Sequence, residues 1–308
     1  MSRILLTDVR PEALRSAVEE AVGHELPWVD PEDSQLDDVD VWFCAGPPPG
    51  RVLTLPGLEW IHSGWAGVEG WFRRPEWRGD VRLTRTVADF PERMAEYVFA
   101  YLLAQELGVA RAIRQMQDRA WRHWVPGSIH GRTMLVVGYG AIGSAIASRG
   151  RAFGLSVQGI RRGPVTSSEE SQDVHELSRL PELIGETDVV VNVLPHTRDT
   201  ESFWNRERFE SMKQGAVFVS ISRGATVDEA ALLDAIRAGR PGRAILDVFR
   251  EEPLPPDHPL RGHDEIWITP HVAGTGTVVE LARDFAANWA RYQRRRSLLH
   301  VVDRERGY

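Results

Sequence analysis

The sequence predicts an α/β protein built from parallel-sheet domains, and three observations carry that expectation. Short apolar, β-branched runs alternate with helical patterns along most of the chain, and such alternation folds as crossovers around a parallel sheet. One junction, Thr133 to Arg151, reads T-M-L-V-V-G-Y-G-A-I-G-S-A-I-A-S-R-G-R, a buried strand breaking into Gly138, Gly140 and Gly143 before a small-residue helix. The chain, at 308 residues and 42% hydrophobic, is long enough for about two domains with packed cores.

The strand-turn-helix junction suits a dinucleotide. Gly138 permits the tight turn, Gly140 lets backbone approach a pyrophosphate, and Gly143 lets helix and strand pack closely. The phosphates then sit on unpaired N–H groups at the helix N-terminus, where the backbone dipoles favour an anion. An ordinary glycine turn is the competing reading, and the flanking strand and helix turn the balance toward a nucleotide site.

Bulk properties exclude several functions. Net charge is −7 and the isoelectric point about 5.8, so the electrostatic footprint of a nucleic-acid partner is missing and Arg294-Arg295-Arg296 reads as a solvated helix end. The single cysteine, Cys44, rules out an internal disulfide framework and a Cys-rich metal site, and the histidines lack ligand spacing such as H-E-x-x-H. No metal is expected. The start M-S-R-I-L-L-T-D has no signal-peptide character and no apolar run reaches membrane-spanning length, so a cytoplasmic protein without membrane contact is expected.

In chain order, Ile4 to Thr7 predicts a first strand and Pro11 to Val22 an amphipathic helix. Apolar runs at Glu25 to Val29, Val39 to Cys44 and Leu58 to Ser63 follow, separated by turns such as Gly46-Pro47-Pro48-Pro49-Gly50. The last of them runs into Ser63-Gly64-Trp65-Ala66-Gly67-Val68-Glu69, small residues with exposed backbone N–H groups at the carboxyl end of a strand, where open α/β sheets bind ligands. A plain loop is the alternative there. After a strand at Val81 to Arg85, Asp89-Phe90-Pro91-Glu92 opens a long helix to about Gln117, suited to an interface or to core packing.

The second strand of the nucleotide fold is expected at Ser156 to Ile160. Where NAD-specific enzymes place an acid stand Arg161 and Arg162. Guanidinium groups suit a 2′-phosphate rather than a ribose 2′-OH, and charge-assisted bonds of about 1.5–3 kcal/mol each would favour NADP over NAD. Two surface arginines are the plain alternative. Leu177 to Ile184 predicts a short helix, and Asp188 to Leu194 a buried strand ending in Pro195-His196-Thr197. Thr226 and Glu229 form a capping box before a helix over Ala230 to Ala238. Strands at Val217 to Ile221, Ala244 to Val248 and Ile266 to Thr269 lead into Ser222-Arg223-Gly224, the acidic stretch from Asp247 to Glu252, and Pro270-His271-Val272-Ala273-Gly274. Taken singly, Arg223, Glu252 and His271 have ordinary surface roles open to them. Their shared sheet edge beside the glycine turn points to a site over a bound nicotinamide.

Here the motifs resemble a known family. G-Y-G-A-I-G at 138 to 143, I-S-R-G at 221 to 224, D-V-F-R-E-E-P-L-P at 247 to 255 and T-P-H-V-A-G at 269 to 274 are similar, in order and spacing, to the D-isomer-specific 2-hydroxyacid dehydrogenases. The loop at 63 to 69, M-A-E-Y at 94 to 97 and the terminal V-D-R-E-R-G-Y at 302 to 308 resemble the glyoxylate/hydroxypyruvate reductase branch. The resemblance implies two Rossmann-like doubly wound domains, a cofactor domain at 91–274 inserted into a flavodoxin-like substrate domain at 1–90 and 275–308, with a cleft at their junction. It implies that Arg223 binds the substrate, that His271 is the acid/base and that Glu252 pairs with it, while backbone of Trp65, Ala66 and Gly67 holds the carboxylate. Cofactor contacts are implied at Gly138, Tyr139, Gly140, Ala141, Ile142, Gly143, Arg161, Arg162, Leu194, Pro195, Ser222, Asp247, His271 and Gly274, with Asp247 near the nicotinamide amide. A homodimer joined through the cofactor domain is implied as well.

The residue types suit that chemistry independently. Hydride transfer to a ketone carbon places charge on its oxygen, an imidazolium can supply the proton, and a neighbouring carboxylate favours the charged imidazole. A planar guanidinium holds a 2-oxo acid by two donors. Ser220 stands where the family usually has Asn and Glu69 where it has Asp, and Trp65 is bulkier than usual in its loop, which bears on substrate choice. The expected activity is an NADP(H)-preferring reductase of a small 2-oxo acid such as glyoxylate or hydroxypyruvate. The alternatives are an NAD-dependent phosphoglycerate-type dehydrogenase and a non-catalytic, nicotinamide-sensing corepressor-like protein.

Overall fold

The computed structural model describes residues 3–8, 10–31, 36–44, 50–72, 76–163 and 173–305. Most of the expected turn at 46–50, and residues 306–308 of the terminal motif, lie outside the described residues. The chain divides into two compact units, one made of Met1–Asp89 and Gly276–Tyr308, the other of Phe90–Thr275.

In chain order the elements are β1 (Arg3–Thr7), α1 (Pro11–Val22), β2 (Trp28–Val29), β3 (Val39–Cys44), α2 (Gly50–Leu53), β4 (Trp60–Ser63) and β5 (Arg82–Arg85). Next come α3 (Phe90–Leu107), α4 (Val109–Gln117), β6 (Thr133–Val137), α5 (Ala141–Ala152), β7 (Ser156–Arg161), β8 (Val174–Glu176), α6 (Leu180–Leu183) and β9 (Val189–Asn192). The chain continues through α7 (Arg206–Glu210), β10 (Val217–Ser220), α8 (Glu229–Arg237), β11 (Arg243–Leu246), β12 (Ile266–Ile268) and α9 (Val278–Gln293).

The first unit is a parallel sheet in the order β2-β1-β3-β4-β5, the flavodoxin-like order. Alternation along the strands sends side chains to both faces. Ile4, Leu6, Val41, Phe43 and Trp60 pack against Leu14 and Val18 of α1 and Leu281, Phe285 and Trp289 of α9. Leu5, Trp42, Cys44 and Ile61 meet Leu53, Trp71 and Trp77 on the other face. Aromatic rings fill the first of these faces: Phe285 stacks on Phe43 at 4.6 Å and on Trp60 at 5.3 Å between ring centroids, with Trp289 continuing the stack. Cys44 and His62 are among the polar groups sealed into this unit. Cys44 is a buried free thiol. His62 lies fully buried, its Nδ1 2.8 Å from Thr84 Oγ1 and its Nε2 3.2 Å from Thr86 Oγ1. Burial, with a smaller effect of His300, pushes its pKa down to about 3.

The second unit is a parallel sheet in the order β12-β11-β10-β9-β6-β7-β8. From β6 the chain builds outward through β7 and β8, then returns to the other side of β6 with β9. The topological switch therefore lies between β6 and β9, where open α/β sheets bind ligands.

Three expectations need correction. The helix expected to run unbroken to Gln117 stops at Leu107, because Gly108 turns left-handed (φ 74) and α4 starts after it. Trp124 explains the break: its indole Nε1 donates to the Leu107 carbonyl at 3.3 Å, and a Cβ on Gly108 would lie 2.9 Å from that nitrogen. The helix expected over Leu177 to Ile184 is a 3₁₀ turn, α6 and a second 3₁₀ turn, since Pro181 brings no N–H to a continuing ladder. The Thr226 capping box does not form. Asp228 caps α8 instead, accepting from the Ala231 N–H at 3.0 Å, while Thr226 Oγ1 donates to the Arg223 carbonyl at 2.7 Å and accepts from Asn192 at 2.8 Å.

Candidate active site

The glycine turn after β6 is shaped by close approach. Gly138 and Tyr139 both donate their N–H to the Ile160 carbonyl, at 3.0 and 2.9 Å. Gly138 has φ 110, and a Cβ there would lie 2.6 Å from the Val193 carbonyl oxygen, so the segment leading to Leu194 and Pro195 presses on the turn. A Cβ on Gly143 would lie 2.5 Å from the Gly138 carbonyl oxygen. Gly140, by contrast, faces nothing within 4 Å, and α5 begins on it with no side-chain cap. The first-turn amides of Ala141, Ile142 and Gly143 thus head an uncapped helix beside open space, which is the donor set a pyrophosphate requires. These residues fit a dinucleotide. The Tyr139 ring lies against Gly159.

Arg161 ends β7, Arg162 follows it, and both are exposed. Arg162 is not free for a phosphate alone: its Nη2 lies 2.6 Å from Asp199 Oδ2, in the loop after β9.

The loops after β10, β11 and β12 leave adjacent strands and bring the predicted residues to one edge. Nδ1 of His271 is 2.7 Å from Glu252 Oε2, and Glu252 Oε1 accepts the Phe249 N–H at 2.8 Å. His271 has φ 54, a left-handed backbone that costs a non-glycine residue about 1–3 kcal/mol. Asp247 supplies the compensation. Its carbonyl accepts the His271 N–H at 2.9 Å, and its fully buried carboxylate accepts from Thr269 Oγ1 at 2.6 Å and from the N–H groups of Val272 and Ala273 at 2.9 Å each. Tyr97 on α3 extends this anchor, its hydroxyl 2.5 Å from Thr269 Oγ1, and Met94 packs under Gly274. The sequence points to Tyr97 only through the M-A-E-Y motif and gives no sign of the Tyr97–Thr269–Asp247 chain, because no local pattern links positions so far apart.

Arg223 stands half-buried beyond β10, one Nη1 donating to the Ser222 carbonyl at 2.6 Å. Its neighbour Gly224 is pressed against the Phe249 backbone, where a Cβ would fall 1.9 Å from the carbonyl carbon. The Arg223 loop and the Glu252 loop are thereby in contact, and Glu252 in turn holds His271. Ser222 Oγ is buried with no hydrogen-bond partner among the described residues.

In the first unit, Trp65 is 57% exposed, its N–H 3.2 Å from Ser63 Oγ, and Arg85 donates to the Ala66 carbonyl at 3.0 Å. The backbone donors expected over Trp65 to Gly67 are thus reduced by one at Trp65. Among the described residues no group of three or more His, Cys, Asp and Glu is placed to hold a metal ion, and no helix is long and apolar enough to cross a membrane.

Residues 99–273 match the family model of the D-isomer specific 2-hydroxyacid dehydrogenase NAD binding domain. The chain belongs to the D-isomer-specific 2-hydroxyacid dehydrogenase family. Within that family its likeness is to the glyoxylate/hydroxypyruvate reductase branch. Glyoxylate/hydroxypyruvate reductase A of Yersinia enterocolitica is 34% identical over 222 residues, covering 70% of this chain and 69% of that enzyme. A D-3-phosphoglycerate dehydrogenase of Archaeoglobus fulgidus is 33% identical over 190 residues, 61% of this chain and only 36% of that enzyme. Among solved structures, an NADPH-dependent glyoxylate/hydroxypyruvate reductase from Sinorhizobium meliloti, in complex with NADP and sulfate, superimposes with a TM-score of 0.87 at 27% identity, covering 100% of both chains. The chain therefore has the two-domain Rossmann-type architecture of its family.

Proposed function

We propose that this dehydrogenase reduces small 2-oxo acids of the glyoxylate or hydroxypyruvate kind to D-2-hydroxy acids, using NADPH in preference to NADH. The observation that carries the reading is the Glu252–His271 pair, 2.7 Å long, on the sheet edge that also carries Arg223 and the glycine turn.

Each residue type has a physical task. Gly138, Gly140 and Gly143, with the amides of Ala141 and Ile142, hold the pyrophosphate, and Leu194, Pro195, Ser222 and Gly274 line the cofactor's path. Bound nicotinamide supplies the hydride. Arg223 holds the substrate's carboxylate and carbonyl as a permanent cation. His271 donates a proton to the carbonyl oxygen as charge develops there. Glu252 orients the imidazole through the bond to its Nδ1. Asp247 keeps the His271 backbone in its strained conformation. We assign the backbone of Trp65, Ala66 and Gly67 to the substrate carboxylate, and the substrate and cofactor roles to 1–90 with 275–308 and to 91–274 respectively.

The NADP preference rests on Arg161 and Arg162 replacing an acid at the end of β7, with support from the NADP-bound relative. The pairing of Arg162 with Asp199 favours a second reading, in which the enzyme accepts NADH as well. Dimerisation through the cofactor unit is supported by α4, on which Val109, Ile113 and Met116 are exposed at the helical spacing of one face.

Loss of NADPH absorbance with glyoxylate, hydroxypyruvate, pyruvate and bulkier 2-oxo acids, repeated with NADH, tests the reading. Rates confined to branched or aromatic acids would remove the glyoxylate assignment. Equal rates with NADH would remove the NADP preference.

A further inference from the structure

We propose that Arg250 is a positioning residue of this active site: its guanidinium clamps the loops after β9, β10 and β11 together and so fixes where Arg223 and the Glu252–His271 pair stand. The inference rests on the catalytic roles proposed above and adds a residue that touches none of the reacting groups.

The clamp is built from one side chain spending its donors on separate segments. Nε donates to the Val227 carbonyl at 2.8 Å, and Nη2 to the Ala225 carbonyl at 3.1 Å and to Ser202 Oγ at 2.6 Å. Nη1 reaches Glu201 Oε1 at 2.9 Å. The backbone N–H of Arg250 donates to Glu229 Oε1 at 2.8 Å, tying the same residue to the first turn of α8. Ala225 and Val227 lie just beyond Arg223. Phe249, next to Arg250, donates its N–H to the carboxylate that holds His271. On the far side, Glu201 Oε2 lies 2.6 Å from His196 Nε2, which carries the clamp to the segment after Pro195. Burial works to raise the Glu201 pKa, but the hydrogen bonds from His196 and Arg250 outweigh it and hold the carboxyl below its ordinary range.

Geometry makes the residue type matter. A guanidinium presents five N–H donors in a rigid plane, so it can serve two carbonyls, a hydroxyl and a carboxylate at once. Lysine brings a comparable charge as a compact point with three donors and cannot span the same set. Three loops from three strands have no other shared side-chain partner among the bonds described. A displacement of about 1 Å in a positioned group is enough to cost on the order of a hundredfold in rate.

The test compares wild type, Arg250→Met, Arg250→Lys and Glu201→Gln by steady-state kinetics and by backbone hydrogen–deuterium exchange. Arg250→Met should lower kcat with glyoxylate roughly 10–100-fold, with a smaller change in the KM for NADPH. Exchange should accelerate at 200–204, 223–228 and 249–252 together while α5 is unchanged. Arg250→Lys should fail to restore kcat, and Glu201→Gln should loosen only the first of the three segments. Unchanged exchange in all three segments, or a lowered Tm with kcat per folded molecule intact, overturns the proposal. An inactive wild type defeats the catalytic reading alone, because exchange reads the clamp without turnover.

Discussion

Glu252 holds His271 through Nδ1 while anchoring itself on the Phe249 N–H. A carboxylate only accepts, so Nδ1 carries the proton of that bond and Nε2 is the nitrogen left to exchange one with substrate. His271→Asn should lower kcat roughly 10²–10⁴-fold. Glu252→Gln keeps the size and should cost less, about 10-fold or more, because an amide oxygen still accepts from Nδ1 but through a weaker bond than a carboxylate makes. Steady-state rates with glyoxylate check both. A His271→Asn enzyme within a few-fold of wild type would remove the acid/base assignment.

The glycines of the turn separate folding from binding. Gly140→Ala adds a methyl where the protein has nothing within 4 Å, so Tm should hold while the dissociation constant for NADPH rises about tenfold or more through lost backbone approach. Gly143→Ala sets its methyl 2.5 Å from a backbone oxygen and should destabilise the fold by about 1–3 kcal/mol. Thermal melts and cofactor titration distinguish the two. Equal loss of stability in both variants contradicts the account.

Asp199 competes for Arg162. Removing its charge in Asp199→Asn should lower the KM for NADPH about 2–5-fold, the scale of an exposed ion pair worth about 0.2–1 kcal/mol, and leave NADH unaffected. Arg161→Ala with Arg162→Ala should raise the KM for NADPH selectively. If NADH suffers equally, neither arginine reads the 2′-phosphate.

His62 gives stability a pH dependence of known sign. Its folded pKa is about 3, against about 6.5 in the unfolded chain. Above about pH 6.5 both states are neutral there and nothing changes. Below it the unfolded chain takes a proton that the folded chain refuses, so stability falls by up to about 1.4 kcal/mol per pH unit as pH drops toward 3. His62→Gln should flatten that part of the slope in denaturant melts between about pH 7 and pH 5. Identical slopes in the two proteins would show that His62 is not the group responsible.

Elements with strong periodicity were legible from sequence. Pro11–Val22 and Thr133–Val137 have the bounds their residues predict, because apolar spacing and flanking punctuation agree there. Gly108 was not legible: glycine is tolerated inside helices, and the left-handed turn is settled by Trp124 from further along the chain. Thr226 likewise matched a local capping pattern, but Asn192 claims its hydroxyl from a neighbouring strand. In the candidate site, the placement of Arg223, Glu252 and His271 in loops after adjacent strands was legible, because strand ends are readable. What holds them was hidden. Arg250 meets Glu201 through sheet order and Tyr97 meets Thr269 through the packing of α3, and neither pair leaves a trace in spacing.

Cys44, the chain's single thiol, sits sealed at the end of β3 with its Sγ 3.7 Å from the His62 carbonyl oxygen. Burial first, and the negative charge of Asp8 second, hold it protonated well beyond its ordinary range. An alkylating reagent therefore meets it only in molecules whose flavodoxin-like half has come apart. Labelling kinetics would time that event alone and stay silent about the Rossmann half, giving the flavodoxin-like half a stability reading of its own in an uncut chain.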